Sequence, residues 1–167
     1  MKKRIELTRE REREMKKQCR IICLAILFAW FCCLSCEAAD PNQGNRFVVS
    51  GDNIVLDTET GLMWAIKDNG VDTNWDAAKS YCENYSAGGH TDWRLPTLGE
   101  LRTIYDQDST KRFLTFDPIT LSGSCPWSAD TRRKERARTI FFMSGEINTF
   151  SKKSSNGFRA LPVRKAQ

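Results

Sequence analysis

The sequence predicts an α+β domain, two short helices packed on small antiparallel sheets. Three observations predict it. Short apolar runs separated by Gly, Asn and Asp turns occupy residues 46–65; two segments with helical spacing and start signals follow over residues 73–105; apolar runs then return around a Ser-Gly turn in the last third. Helices set between an N-terminal β segment and a C-terminal β meander make an α+β fold.

The elements follow in order. Arg46 to Val49 and Ile54 to Leu56 are strand candidates on either side of the turn Ser50-Gly51-Asp52-Asn53, and Leu62 to Ala65 resumes extended structure after Asp57-Thr58-Glu59-Thr60-Gly61. The first helix is expected over Asn74 to Tyr85. Thr73 or Asn74 can cap it, and Asp76 suits the positive end of the helix dipole. Trp75, Ala78, Tyr81, Cys82 and Tyr85 recur at three- and four-residue spacing, which predicts one core-facing stripe. Gly88-Gly89 closes the segment, glycine being the residue that accepts left-handed backbone. The second helix starts in HTDWRLPTLGEL. Thr97-Leu98-Gly99-Glu100 is a capping box, in which Thr97 accepts from the third amide and Glu100 reaches back to the cap amide. Pro96 forces Leu95 out of helical geometry, so the chain arrives extended. Trp93 and Leu95 then share one side, and Arg94 faces the other, where Glu100 or Asp92 can pair with it. The last third is read as a hairpin, Ala137 to Met143 and Glu146 to Phe150 around Ser144-Gly145, followed by one strand over Phe158 to Arg164 with Pro162 marking an edge or an end.

The N-terminus reads as an address. Residues 1–20 are strongly charged, the 16 residues Ile21 to Cys36 carry no charge, and Glu37-Ala38-Ala39 precedes Asp40. A charged stretch, a short apolar run and a small-residue site mark a secretory signal; a spanning helix needs roughly 20 apolar residues. The expected division is a signal peptide over residues 1–39, a short linker over 40–45 and a domain over 46–164. Translation starts at Met1 or at Met15, whose MKKQCR is itself an ordinary opening of a signal. Cleavage after Ala39 is the first reading. Lipid attachment at Cys36 is the alternative, with Cys33 standing where a lipoprotein box has an aliphatic residue. The net charge of +5 belongs mostly to this leader: residues 1–39 hold nine basic and five acidic side chains, which leaves 17 basic against 16 acidic in residues 40–167. So balanced a domain lacks the positive field that nucleic-acid binding uses. Of seven cysteines only Cys82 and Cys125 follow the leader. In an exported domain they most simply form one disulfide, closing a loop of about 43 residues at a gain of about 3–4 kcal/mol; two buried thiols are the other reading.

The segments LDTETGLMW, TNWDAAKSYC, GGHTDWRLPTLGEL, PWSAD, FFMSGEIN and GFRALPVR, in that order, resemble the Lcl C-terminal domain family over about residues 46–164. DWRLPT-x-x-EL is the most specific of them. The resemblance implies a C-type-lectin-like fold, related at the fold level to formylglycine-generating enzymes. The chain departs from the family at Cys125-Pro126-Trp127-Ser128-Ala129, where members often carry tyrosine, tryptophan and hydroxyl residues, and at Leu161-Pro162, where many carry Arg-Cys or Arg-Pro.

Function is a separate question from fold. Calcium-dependent sugar binding needs clustered oxygen ligands; Asp106-Gln107-Asp108 could contribute to such a set, but a loop with two acidic residues is more often solvated, and no metal or cofactor is expected. Metalloprotease, phosphate-loop, nucleophile-elbow and Cys-x-x-Cys motifs do not occur, and His90 is the one histidine, in a Gly-Gly-His-Thr turn. An oxidase-like enzyme would need a reactive cysteine constellation and is the third-ranked reading. The expected function is a non-catalytic, exported binding module, periplasmic or extracellular. Its contact surface is the segment Arg132, Arg133, Lys134, Arg136 and Arg138, read as a loop, with Lys152 and Lys153 beside it and Trp127 at its edge as a stacking platform. An anionic polysaccharide fits such a patch, and family members that bind sulfated polysaccharides supply an analogy. The alternative is a lipid-anchored envelope protein that contacts another protein, with membrane contact only through the leader or a lipid at Cys36.

Overall fold

The computed structural model describes residues 45–51 and 53–166; the leader, the cleavage site, Cys36 and most of the linker lie outside the described residues. Two four-stranded sheets and two short helices make up the α+β architecture. Strands β1 (Phe47–Val49), β2 (Ile54–Asp57) and β3 (Leu62–Ala65) form a meander, and β8 (Val163–Lys165) joins β3 at the far edge, every pairing antiparallel. The second sheet holds β4 (Cys125–Arg133), β5 (Arg136–Ile140), β6 (Ile147–Ser151) and β7 (Phe158–Arg159) in the order β6-β5-β4-β7, with β7 parallel to β4. Between them come α1 (Trp75–Glu83) and α2 (Leu98–Thr103). Among the described residues no helix is long and apolar enough to cross a membrane.

The local signals act as the chemistry dictates. Asn74 caps α1, its side chain accepting from Ala77 N at 2.9 Å. Thr97 and Glu100 form the full capping box of α2: Glu100 N donates to Thr97 Oγ1 at 3.2 Å, and Thr97 N donates to Glu100 Oε2 at 2.7 Å. The corner ahead of α2 is stitched to two strands, β8 and β4. Arg94 and Val163 exchange backbone hydrogen bonds at 3.0 Å, Ala129 N donates to Pro96 O at 2.7 Å, and Leu98 N donates to Asp130 Oδ2 at 2.6 Å. Trp93 and Leu95 are buried on one side of this corner. Arg94 turns the other way and chooses Glu100, in a two-pronged pair at 2.6 and 2.8 Å, while Asp92 receives Arg164 Nε at 2.7 Å.

The core has two parts. The larger gathers Trp64, Leu101, Ile104, Ile119, Phe142, Leu161 and Val163 from the first sheet, α2 and the connecting loops. The smaller gathers Ala78, Cys82, Leu95, Cys125, Trp127, Ala137, Phe158 and Ala160 between α1 and the second sheet. The turn after β5 needs glycine at Gly145: φ is +75°, and a Cβ there would meet the Tyr105 ring at 2.9 Å.

Three expectations are corrected here. The last strand is two: β7 and β8 belong to different sheets, because Ala160-Leu161-Pro162 carries the chain across, Pro162 offering no amide and accepting instead from Ala65 N. The stripe on α1 is narrower than its spacing predicts: Ala78 and Cys82, one turn apart, are buried, whereas Trp75 and Tyr85 are half-buried and Tyr81 is exposed. The Cys82–Cys125 bridge is not formed. Both residues are free thiols buried in the smaller core, where they pack as small apolar groups, and Cys125 Sγ lies 3.3 Å from Ser124 Oγ.

Candidate functional site

The basic segment is not a loop. Arg132 and Arg133 end β4, Arg136 and Arg138 lie on β5, and only Lys134-Glu135 forms the turn, so the segment is the tip of a β-hairpin with Arg133 directly opposite Arg136. Successive residues of a regular strand face opposite sides. Here the β4–β5 register shifts between Thr131 and Arg133. Such an irregularity re-aims side chains, and Arg132 and Arg133 both line one open pocket with Arg136 and Thr149, with a volume of about 280 Å³. Arg136 is steadied by a hydrogen bond from Nη2 to Thr149 O at 2.8 Å.

What sets this tip apart is that three arginines, unpaired among the described residues, meet at one pocket. Arg46, Arg94, Arg159 and Arg164 are each in an ion pair with a carboxylate. Among the described residues, none of Arg132, Arg133 and Arg136 has a carboxylate within ion-pair distance. Arg133 and Arg136 are moreover like charges directly across a strand pair, an arrangement that destabilises the pair until an anion comes between them.

The remaining expected contacts are distributed differently. Lys134 is exposed at the turn, and Lys153 is exposed beyond β6. Lys152 is half-buried, with its ammonium 3.9 Å above the Trp75 ring and its amide on Glu135 O, so it helps to hold the hairpin. Arg138 points inward enough that its Nε is buried without a hydrogen-bond partner. Trp127 does not stand at the edge of the patch. It is fully buried, stacked on Phe158 at 4.2 Å and donating from Nε1 to Thr73 O at 2.9 Å, so the expected stacking platform is a core residue. Thr149 was not among the expected contacts; the signal for it is the β5–β6 register, which places Arg138 opposite Thr149 one strand over from the arginines.

Both thiols are buried and held toward the neutral form. Burial pushes the Cys82 thiol well above its ordinary value, and burial also raises Cys125 against a smaller opposing hydrogen bond with Ser124. Among the described residues no group of three or more His, Cys, Asp and Glu converges as a metal ion would require.

The chain matches no curated protein. Residues 53–164, more than half of the chain, match the family described as the Lcl C-terminal domain. The chain therefore belongs to the Lcl C-terminal domain family.

Proposed function

We propose that the chain is an exported, non-catalytic module that binds an anionic polysaccharide through the tip of the β4–β5 hairpin. One observation carries this reading: Arg132, Arg133 and Arg136 line a single open pocket without a carboxylate partner among the described residues. The chemistry suits a sulfate or carboxylate group. A guanidinium presents a planar fork of donors that matches two anionic oxygens at once, and three forks around one pocket can hold one group from several sides. The domain is nearly neutral, so this is a local patch rather than a general basic field. Neutral, buried thiols support the non-catalytic part, since the thiolate is the reactive form. Export rests on the leader over residues 1–39, and the C-type-lectin-like assignment of the fold rests on the family resemblance.

The test is retention on immobilised heparin of residues 40–167, the chain without its basic leader. The native chain is expected to bind at low salt and to release as ions screen the contact. The triple variant Arg132→Ala, Arg133→Ala, Arg136→Ala should release at clearly lower salt without a lowered melting temperature. Equal retention of the triple variant, or no retention of the native chain, overturns the proposal.

A further inference from the structure

A second concavity lies away from the arginines, at the C-terminal end of α1. Asn53, Ala77, Ser80, Tyr81, Asn84, Tyr85, Ser86 and Ala87 line an open groove of about 720 Å³. None of these eight residues is charged, in a chain of which 28% is. Two tyrosine rings, 6.1 Å apart and tilted by 39°, form one wall. Tyr81 is 38% exposed. Tyr85 is held edge-on against the buried Trp93 ring at 5.1 Å, so its position is fixed from below.

The opposite rim is also built. Asn53 sits in left-handed backbone with φ +63°, a conformation asparagine tolerates better than most residues. The Ser86–Gly89 segment packs against Ile54 at the start of β2: Gly88 has φ +64°, which favours glycine, and a Cβ there would come within 2.5 Å of Ile54 Cδ1 and make that side chain shift. Asn84 Nδ2 donates to Ser80 O at 2.8 Å, which orients the amide and leaves its oxygen free to accept. Among the described residues the Asn53 amide and the Ser80, Ser86, Tyr81 and Tyr85 hydroxyls have no hydrogen-bond partner.

The lining narrows the ligand by elimination. An ionised ligand would meet no countercharge among the eight lining residues, and an anion would also face the nearby Asp68 carboxylate. A wholly apolar one would strip water from five hydroxyl and amide groups and replace nothing, at the full cost of leaving them unsatisfied. What remains is a neutral, polyhydroxylated molecule with apolar C–H faces. Tyrosine presents such a face and a polar tip together. Hydroxyls and primary amides both donate and accept, as sugar hydroxyls do. We propose that this groove binds a neutral saccharide, packed on the Tyr81 ring and hydrogen-bonded by Asn53, Asn84 and the serine hydroxyls. The site is independent of the arginine hairpin.

The experiment titrates the full chain with three neutral tetrasaccharides, chitotetraose, cellotetraose and maltotetraose, followed by saturation-transfer NMR and calorimetry. At least one is expected to bind at or below about 1 mM, with a Kd that changes less than about twofold between about 0.05 and 0.5 M salt because no charge is involved. Tyr81→Ala should weaken it by about tenfold or more and Tyr81→Phe by less than about threefold. Asn84→Ala is a second, independent probe with the same expected direction. The triple arginine variant should bind these sugars as the native chain does, which separates this site from heparin retention. The proposal fails if none of the three binds, if salt abolishes binding, or if Tyr81→Ala and Asn84→Ala both bind like the native chain.

Discussion

Glu100 does two jobs, and two substitutions separate them. Its carboxylate accepts from Thr97 N at 2.7 Å, closing the cap of α2, and takes both prongs of Arg94 at 2.6 and 2.8 Å. Glu100→Ala removes both. Loss of the side-chain half of the capping box costs about 1 kcal/mol. The ion pair is partly wet, with side-chain exposures of 38% for Arg94 and 18% for Glu100, so it contributes about 1 kcal/mol rather than the figure for a dry pair. The alanine variant is therefore expected to lose about 2 kcal/mol and the glutamine variant, which keeps an acceptor for the cap, about 1 kcal/mol. For a domain of this size each kcal/mol lowers Tm by about 4 °C. The assay is thermal unfolding followed by circular dichroism, run across pH. Burial alone would raise the Glu100 carboxyl; Arg94 and the Thr97 amide more than reverse this and hold it below its ordinary value. The folded state thus favours the ionised form. The ion-pair advantage over Glu100→Gln is complete above about pH 5 and disappears as pH falls through the lowered folded value. Variants that melt with the native chain at pH 7, or a native-to-glutamine gap that persists undiminished at about pH 2, refute the assignment.

Two further outcomes follow from burial. Trp93→Ala should cost about 3–5 kcal/mol, because the ring is 2% exposed and supports Tyr85 from beneath; chemical denaturation measures it, and an unchanged midpoint contradicts the core placement. In the chain without its leader, residues 40–167, Cys82 and Cys125 should resist iodoacetamide at pH 8 when folded and react once it is unfolded, with no change in mass on prior reduction, since both are buried thiols held neutral; rapid labelling of the folded residues 40–167, or a gain of two hydrogens on reduction, is the contrary result.

How far the sequence could be read depended on the range of the interactions. The caps of both helices were legible because Asn74 with Ala77, and Thr97 with Glu100, act over three residues of chain. The partner of Arg94 was legible to within two carboxylates for the same reason. The β4 strand was not, because its exposed half is a run of charged and polar residues with no apolar alternation, and its pairing is set by contacts with β5 and β7. The division of Phe158 to Arg164 between two sheets is likewise a tertiary fact: Pro162 signals an ending, but nothing local says that the chain crosses to β3. Tyr81 and Tyr85 misled in a different way. Their spacing is that of a core face, yet the helix buries only its Ala78–Cys82 centre line, and the surrounding Ser80, Asn84 and Ser86 were the sign that the flank meets water.

The placement of these residues also decides what mutagenesis can distinguish. Asp130 reaches back to α2, Ala129 binds the Pro96 carbonyl, and Ser128 O accepts from the Trp75 indole at 2.8 Å. Strand β4 is thus anchored through residue 130, and everything beyond it to the turn is exposed. Side chains that lie outside caps, cores and buried networks usually change stability by less than about 0.5 kcal/mol when replaced. Arg132 and Arg133 meet that description, and Arg136 nearly so, its one side-chain hydrogen bond being to the backbone carbonyl of half-buried Thr149 on β6. Trp127 and Arg138 do not, because one is wholly buried and the other carries a buried nitrogen. Loss of heparin retention after replacing the three hairpin arginines can therefore be read as lost ligand chemistry, whereas the same loss after Trp127→Ala would report a damaged core.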